Sequence, residues 1–166
     1  MNTPLEILLG PLLTRRGLRL AVAESCTGGL IGHRITNVPG SSEYYLGSVI
    51  AYAYEAKVRL LGVRWDTLNT YGAVSREAVL EMASGVRAAL GTEIGLSVSG
   101  IAGPGGGTPE KPVGTTWIGL SAASHKLTES QSLAWHFVWS GDRLQNKEQS
   151  AEMALCLLVE YLNRNI

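Results

Sequence analysis

Leu5, Leu8, Leu9, Leu12 and Leu13 recur at the three- and four-residue spacing of a helix with one apolar face, and Arg15-Arg16-Gly17 closes the pattern as a helix C-terminus does. The period then changes. Leu20 to Ala23 is a short apolar run of the kind found in buried strands, and it breaks at Glu24-Ser25-Cys26-Thr27-Gly28-Gly29 before a helical period resumes with Leu30, Ile31, Arg34 and Ile35 and runs to about Thr36. Loop chemistry at Asn37, Pro39 and Gly40 precedes a second strand, Gly47 to Tyr54, and the short helical pattern of Val58, Leu60 and Leu61. Trp65 to Tyr71 reads as a further helical turn or two. Ser75 stands as an N-cap before a strong amphipathic helix, Glu77 to Leu90, which Gly91 stops. Ile94 to Ser99 is a buried strand. Val113 to Ser121 and Gln131 to Trp139 read as an antiparallel strand pair, and Asp142 to Asn163 as a long final helix.

Strands and helices alternating in this order predict an α/β fold: a single-domain three-layer α/β/α sandwich, residues 1–166, with a mixed, mostly parallel sheet. At 166 residues the chain suits one ordinary domain. Fourteen basic residues balance fourteen acidic ones, so no overall positive field favours nucleic acid or an anionic membrane. No apolar run approaches the ~20 residues of a membrane span, and two well-separated cysteines, Cys26 and Cys156, suit free thiols in a cytoplasmic protein. His33, His125 and His136 are scattered without metal-ligand spacing, so no metal or cofactor is expected.

In open α/β sheets, ligands bind beyond the carboxyl ends of the strands. Three unusual segments fall there: Ser25 to Gly29, Tyr52 to Lys57, and the loop Ser99 to Pro112 with five glycines and three prolines. At the first, the opening N–H groups of a helix lack intrahelical partners and welcome an anion, while Gly28 and Gly29 admit a close ligand. Simple capping by Ser25 or Thr27 is the competing reading. Ser25 is a candidate nucleophile and Lys57, in the first turn of its helix, the candidate base; Tyr52 and Tyr54 share a strand face, so either phenol could bridge the two or hold substrate. Cys26 is a rival nucleophile. Gly103 to Gly107 matches neither a Walker sequence nor GxGxxG, and reads either as a phosphate or ribose cradle or as a plain loop; Arg143 and Lys147 could add cationic contacts.

Ala23-Glu24-Ser25-Cys26-Thr27-Gly28-Gly29, Tyr52 to Lys57, Gly72-Ala73-Val74-Ser75, Ser99-Gly100-Ile101-Ala102-Gly103-Pro104, Lys111-Pro112-Val113-Gly114-Thr115 and Ser140-Gly141-Asp142-Arg143 together resemble the CinA C-terminal domain family, over nearly the whole chain and in order. Some members are nicotinamide-nucleotide amidohydrolases. The resemblance implies a domain standing without the molybdopterin-binding-like domain of longer CinA proteins, commonly a homodimer or higher homo-oligomer, that hydrolyses the carboxamide of nicotinamide mononucleotide without metal. It implies Ser25, Lys57 and Tyr52 as catalytic residues, with oxyanion contacts from the backbone of Cys26, Thr27 and Gly28. The substrate would be held by Gly29, Tyr54, Gly100, Gly103, Gly105, Gly106, Arg143 and Lys147. Tyr54 stands where the family pattern has a small amide, and Lys147 where active relatives often carry a second arginine. These departures leave a second reading open: a nucleotide-binding or regulatory module that keeps the site and has lost turnover.

Overall fold

A computed structural model describes residues 3–123 and 131–165. Helix α1 (Leu5–Thr14) leads into strand β1 (Leu20–Glu24), and α2 (Leu30–Thr36) with a short 3-10 helix (Ser41–Glu43) leads into β2 (Tyr45–Ile50). Three helices follow, α3 (Tyr54–Leu61), α4 (Trp65–Tyr71) and α5 (Arg76–Leu90). Strands β3 (Ile94–Gly100), β4 (Thr115–Ala122) and β5 (Gln131–Val138) then precede α6 (Arg143–Arg164). The sheet runs in the order β2-β1-β3-β4-β5. β1 is parallel to both β2 and β3, whereas β3–β4 and β4–β5 are antiparallel, so the mixed sheet is evenly divided and not mostly parallel as the alternation of elements suggested. The segment joining β4 to β5, with His125, lies outside the described residues.

The three layers follow from the two-residue period of the strands. In β1, Leu20 and Val22 face one core with α1, α2 and α6, while Ala21 and Ala23 face the other with α5. β3 repeats the device more strongly. Ile94, Leu96 and Val98 enter the first core, and the intervening Gly95, Ser97 and Ser99 keep the opposite face thin. A Cβ on Gly95 would lie 2.1 Å from the Ala83 carbonyl oxygen, and the Ser97 hydroxyl donates to the Val79 carbonyl at 2.6 Å, so α5 lies almost directly on the sheet. Truncating Leu96, wholly buried in the first core, to alanine should cost about 2 to 5 kcal/mol.

Register then places the candidate residues. Glu24, the last residue of β1, is opposite Ile50, the last of β2, on one side and Val98 of β3 on the other, so β1 and β2 end at one level and β3 runs on by two residues to Gly100. The chain segments leaving that level are Ser25, Ala51-Tyr52 and Ser99-Gly100. The turn after β1 enters α2 on one face of the sheet and the turn after β2 enters α3 on the other, which opens a crevice between them. β2 stops at Ile50 and α3 begins at Tyr54, so Tyr52 and Tyr54 do not share a strand face as the sequence suggested.

Candidate functional site

Lys57 is the fourth residue of α3, and its side chain runs inward to the end of β1, where it is 1% exposed. Its Nζ donates to the carbonyls of Ala51 at 2.7 Å and Tyr52 at 3.2 Å, and lies 3.0 Å from Ser25 Oγ. Burial pushes this amine down from an ordinary 10.5 to about 8, with Cys26 pulling weakly the other way. The geometry accommodates both protonation states. The ammonium has three donors for three acceptors; the neutral amine keeps two N–H on the carbonyls and turns its lone pair to the Ser25 hydroxyl. Ser25 is itself buried, its N–H bound to the Val98 carbonyl at 3.1 Å, so the hydroxyl is held by the sheet and not by a loose loop.

The turn beyond Ser25 departs from the expected helix-end anion site. Neither Ser25 nor Thr27 caps α2; Gly29 is its N-cap residue, in the left-handed region at φ 102°, and its side-chain partner comes from β1. The Glu24 carboxylate, fully buried, accepts from the Thr27 hydroxyl and from the N–H groups of Gly29, Ile31 and Gly32 at 2.7 to 3.1 Å. It also accepts from Ser48 Oγ at 3.1 Å. The helix N-terminus is therefore filled by the protein's own anion. The Gly28 N–H is engaged too, by the Ser25 carbonyl at 3.1 Å, which removes Gly28 from the expected oxyanion donors. Thr27 N–H has no hydrogen bond among the described residues, and Cys26 N–H faces its own thiol.

Cys26 is buried beside this turn, where a Cβ on Gly100 would lie 3.1 Å from its Sγ and 2.7 Å from Thr116 Oγ1. Burial pushes the thiol up to about 12, outweighing its own N–H and the nearby Lys57 and Lys147, which pull it down. A thiol protonated at neutral pH is a poor nucleophile, so Ser25 is the better placed of the two.

The remaining candidates form the rim. Lys147, one turn into α6, brings its Nζ to 3.9 Å from where a Gly28 Cβ would stand. Arg143 opens α6 and donates to the Gly103 carbonyl at 2.6 Å and the Tyr52 hydroxyl at 3.1 Å. Tyr52, 62% exposed, is thus brought to the site by its backbone carbonyl, on Lys57, while its phenol turns outward to Arg143 instead of bridging Ser25 and Lys57. Tyr54 accepts from the Ala73 N–H at 3.3 Å and ties α3 to the Gly72–Ser75 turn. A groove of about 480 Å³ runs beside Arg143, lined by Ala102, Pro104, Val113 and Leu144 among others. Gly105 and Gly106 are exposed in the loop near it, Gly105 with open space where a side chain would be.

Sequence reasoning missed two residues that shape this region. Glu24 stood in the first block of the family resemblance and as a polar residue ending an apolar strand, with no role assigned to it. Asn146, 2% exposed, donates to the Ala102 carbonyl at 3.1 Å and accepts from the Gly141 N–H at 3.0 Å, pinning the glycine loop to the start of α6. Its signal was a polar residue on the inward face of an amphipathic helix. Among the described residues no group of three His, Cys, Asp or Glu side chains is close enough to hold a metal, and no helix is long and apolar enough to cross a membrane.

The family model for the CinA C-terminal domain matches residues 2–162. The chain belongs to the CinA C-terminal domain family. A CinA-like protein of Chloroherpeton thalassium is 52% identical over 98% of this chain, and one of Salinibacter ruber 54% identical over 93%. The chain spans 38% and 36% of those two CinA-like relatives. Among solved structures, the competence damage-inducible protein A of Klebsiella pneumoniae superposes with a TM-score of 0.89 at 34% identity, covering 96% of each chain. The competence/damage inducible protein CihA of Agrobacterium tumefaciens gives 0.87 at 34% identity, covering 99% of this chain and all of its own. The CinA fold, with Ser25 and Lys57 meeting at the ends of its parallel strands, is the frame on which an activity is to be read.

Proposed function

We propose that this CinA-family chain is an amidase that hydrolyses the carboxamide of nicotinamide mononucleotide to nicotinate mononucleotide and ammonia. The observation that carries the reading is Lys57: a buried amine, depressed to about 8, held 3.0 Å from a buried serine hydroxyl. Such a pair is a nucleophile with its base. Neutral Lys57 takes the Ser25 proton as Oγ bonds to the carboxamide carbon, and the carbonyl oxygen becomes an oxyanion against the N–H group of Thr27, the one donor of the turn left without a partner among the described residues. Lys57 returns the proton to the departing nitrogen, which leaves as ammonia, and Ser25 is left as an ester. Water, deprotonated by the same amine, attacks that ester and releases the carboxylate product with Ser25 restored.

A mononucleotide brings a dianionic phosphate, and the ammonium of Lys147 over Gly28 and the guanidinium of Arg143 beside the glycine loop are the cations at hand. Purified protein should release ammonia from nicotinamide mononucleotide, and Ser25→Ala should abolish it. Turnover that survives in Ser25→Ala removes the serine as nucleophile; tight binding of the mononucleotide without ammonia release would instead mark the chain as a binding module on the same fold.

A further inference from the structure

The amidase reading assigns Ser25 and Lys57 but says nothing of the most heavily hydrogen-bonded side chain in the region. Glu24 is wholly buried, immediately precedes the nucleophile, and accepts five hydrogen bonds: Oε2 from Thr27 Oγ1, Gly29 N–H and Ile31 N–H, and Oε1 from Gly32 N–H and Ser48 Oγ. Its backbone works on the other half of the pair. The Glu24 carbonyl accepts from the Ala51 N–H at 2.9 Å, and the Ala51 carbonyl is the shortest contact of Lys57 Nζ, at 2.7 Å. One residue thus fixes the turn that carries Ser25 and the strand end that receives Lys57.

The spacing of the five donors shows what is being held. Thr27, Gly29, Ile31 and Gly32 are consecutive stations of the turn and the first helical residues, gathered around one carboxylate that reaches them from the strand. With the side chain of Thr27 and the N–H of Gly29 anchored, and Gly28 N–H closed onto Ser25, the Ser25–Gly29 turn has one way to lie, and Thr27 N–H is the donor left over. Preorganised donors of this kind act only if they need not move during the reaction.

We propose that Glu24 is the positioning residue of the site: its carboxylate replaces an external anion at the N-terminus of α2 and locks the Ser25–Gly29 turn so that the Thr27 N–H group faces the oxyanion. This rests on the reading of Ser25 as the nucleophile. It touches no substrate and moves no proton.

The consequence is a loss confined to the chemical step. In Glu24→Gln an amide NH₂ replaces one carboxylate oxygen and opposes an N–H donor, so the turn loosens while the cationic rim is untouched. We expect kcat on nicotinamide mononucleotide to fall about tenfold or more, with KM within about twofold and the midpoint of the pH profile set by Lys57 unmoved. Phosphonylation of Ser25 by a fluorophosphonate, which uses the same hydroxyl and the same oxyanion donor, should slow by a similar factor. Because Glu24→Gln is also a core substitution, two milder variants share the carboxylate. Thr27→Val removes the donor on the Ser25 side and should slow both reactions; Ser48→Ala removes the donor on the far side and should lower Tm while leaving both rates near wild type. Wild-type rates in Glu24→Gln and Thr27→Val, a loss residing in KM, or equal losses in Thr27→Val and Ser48→Ala would each overturn the assignment. If the wild-type protein releases no ammonia but Ser25 is still labelled, the amidase reading fails on its own and the labelling rates continue to test Glu24.

Discussion

Lys57 Nζ and Ser25 Oγ, 32 residues apart in the chain, lie 3.0 Å apart in the interior, and the carbonyls of Ala51 and Tyr52 occupy the other two directions of the amine. The hydrogen bonds aim the amine, while burial lowers its proton affinity from the ordinary 10.5 to about 8.

Replacing Lys57 by methionine keeps the stem and removes the proton carrier. General-base contributions run at about 10² to 10⁴-fold, so ammonia release from nicotinamide mononucleotide should fall by that order in Lys57→Met, with far-UV circular dichroism unchanged. A loss below tenfold would assign the proton to another group.

The pH dependence of rate and of stability should share an origin. Only neutral Lys57 can take the serine proton, so kcat/KM should rise with pH through a midpoint of about 8. For stability, folded Lys57 gives up its proton near 8 and the unfolded chain holds it to 10.5, so the unfolded state binds more protons in that window and folding strengthens as pH rises. The Cys26 thiol acts oppositely. Unfolded it ionises at 9.0 and folded at about 12, so above pH 9 it weakens folding. Urea denaturation should show a gain of about 1 kcal/mol between pH 8 and 9 followed by a plateau, and Lys57→Met should remove the gain.

Cys26 should resist alkylation at pH 7.5, being buried and protonated, while the partly exposed Cys156 reacts. Iodoacetamide treatment followed by peptide mapping and an ammonia assay tests this; inactivation that tracks modification of Cys26 would return the thiol to candidacy.

Tyr52→Phe separates the two readings of its phenol. With the hydroxyl on Arg143 and only the backbone carbonyl on Lys57, the variant should lose about 1 kcal/mol of rim organisation, about fivefold in kcat/KM, and keep the pH midpoint. A hundredfold loss in kcat with a displaced midpoint would place the phenol in proton transfer.

Much of the fold was written locally. Leucine spacing marked α1, the Gly-stopped pattern marked α5, and the alternation of large and small residues in Ile94-Gly95-Leu96-Ser97-Val98-Ser99 records a strand with a thick core on one face and a helix laid close on the other. Trp65–Tyr71 matched its predicted helix because propensity and caps act within a few residues. The same local signals located the three segments at the strand ends. They could not say which backbone groups there were already taken. Glu24 as the cap of α2, Gly28 N–H closed on Ser25, the outward turn of the Tyr52 phenol and the depressed Lys57 amine each depend on groups brought together across the sheet, and hydrogen-bond satisfaction and desolvation are properties of that assembled neighbourhood. The antiparallel pair β4–β5 was legible, but the antiparallel join of β3 to β4 was not, since element order fixes which strands exist while packing of the helices on both faces decides where each one joins the sheet. The sequence by itself determined which residues are candidates for chemistry and which ends of the strands they leave; only the tertiary structure decided which of them touch, because charge, proton affinity and free donors are set by neighbours far away in the chain.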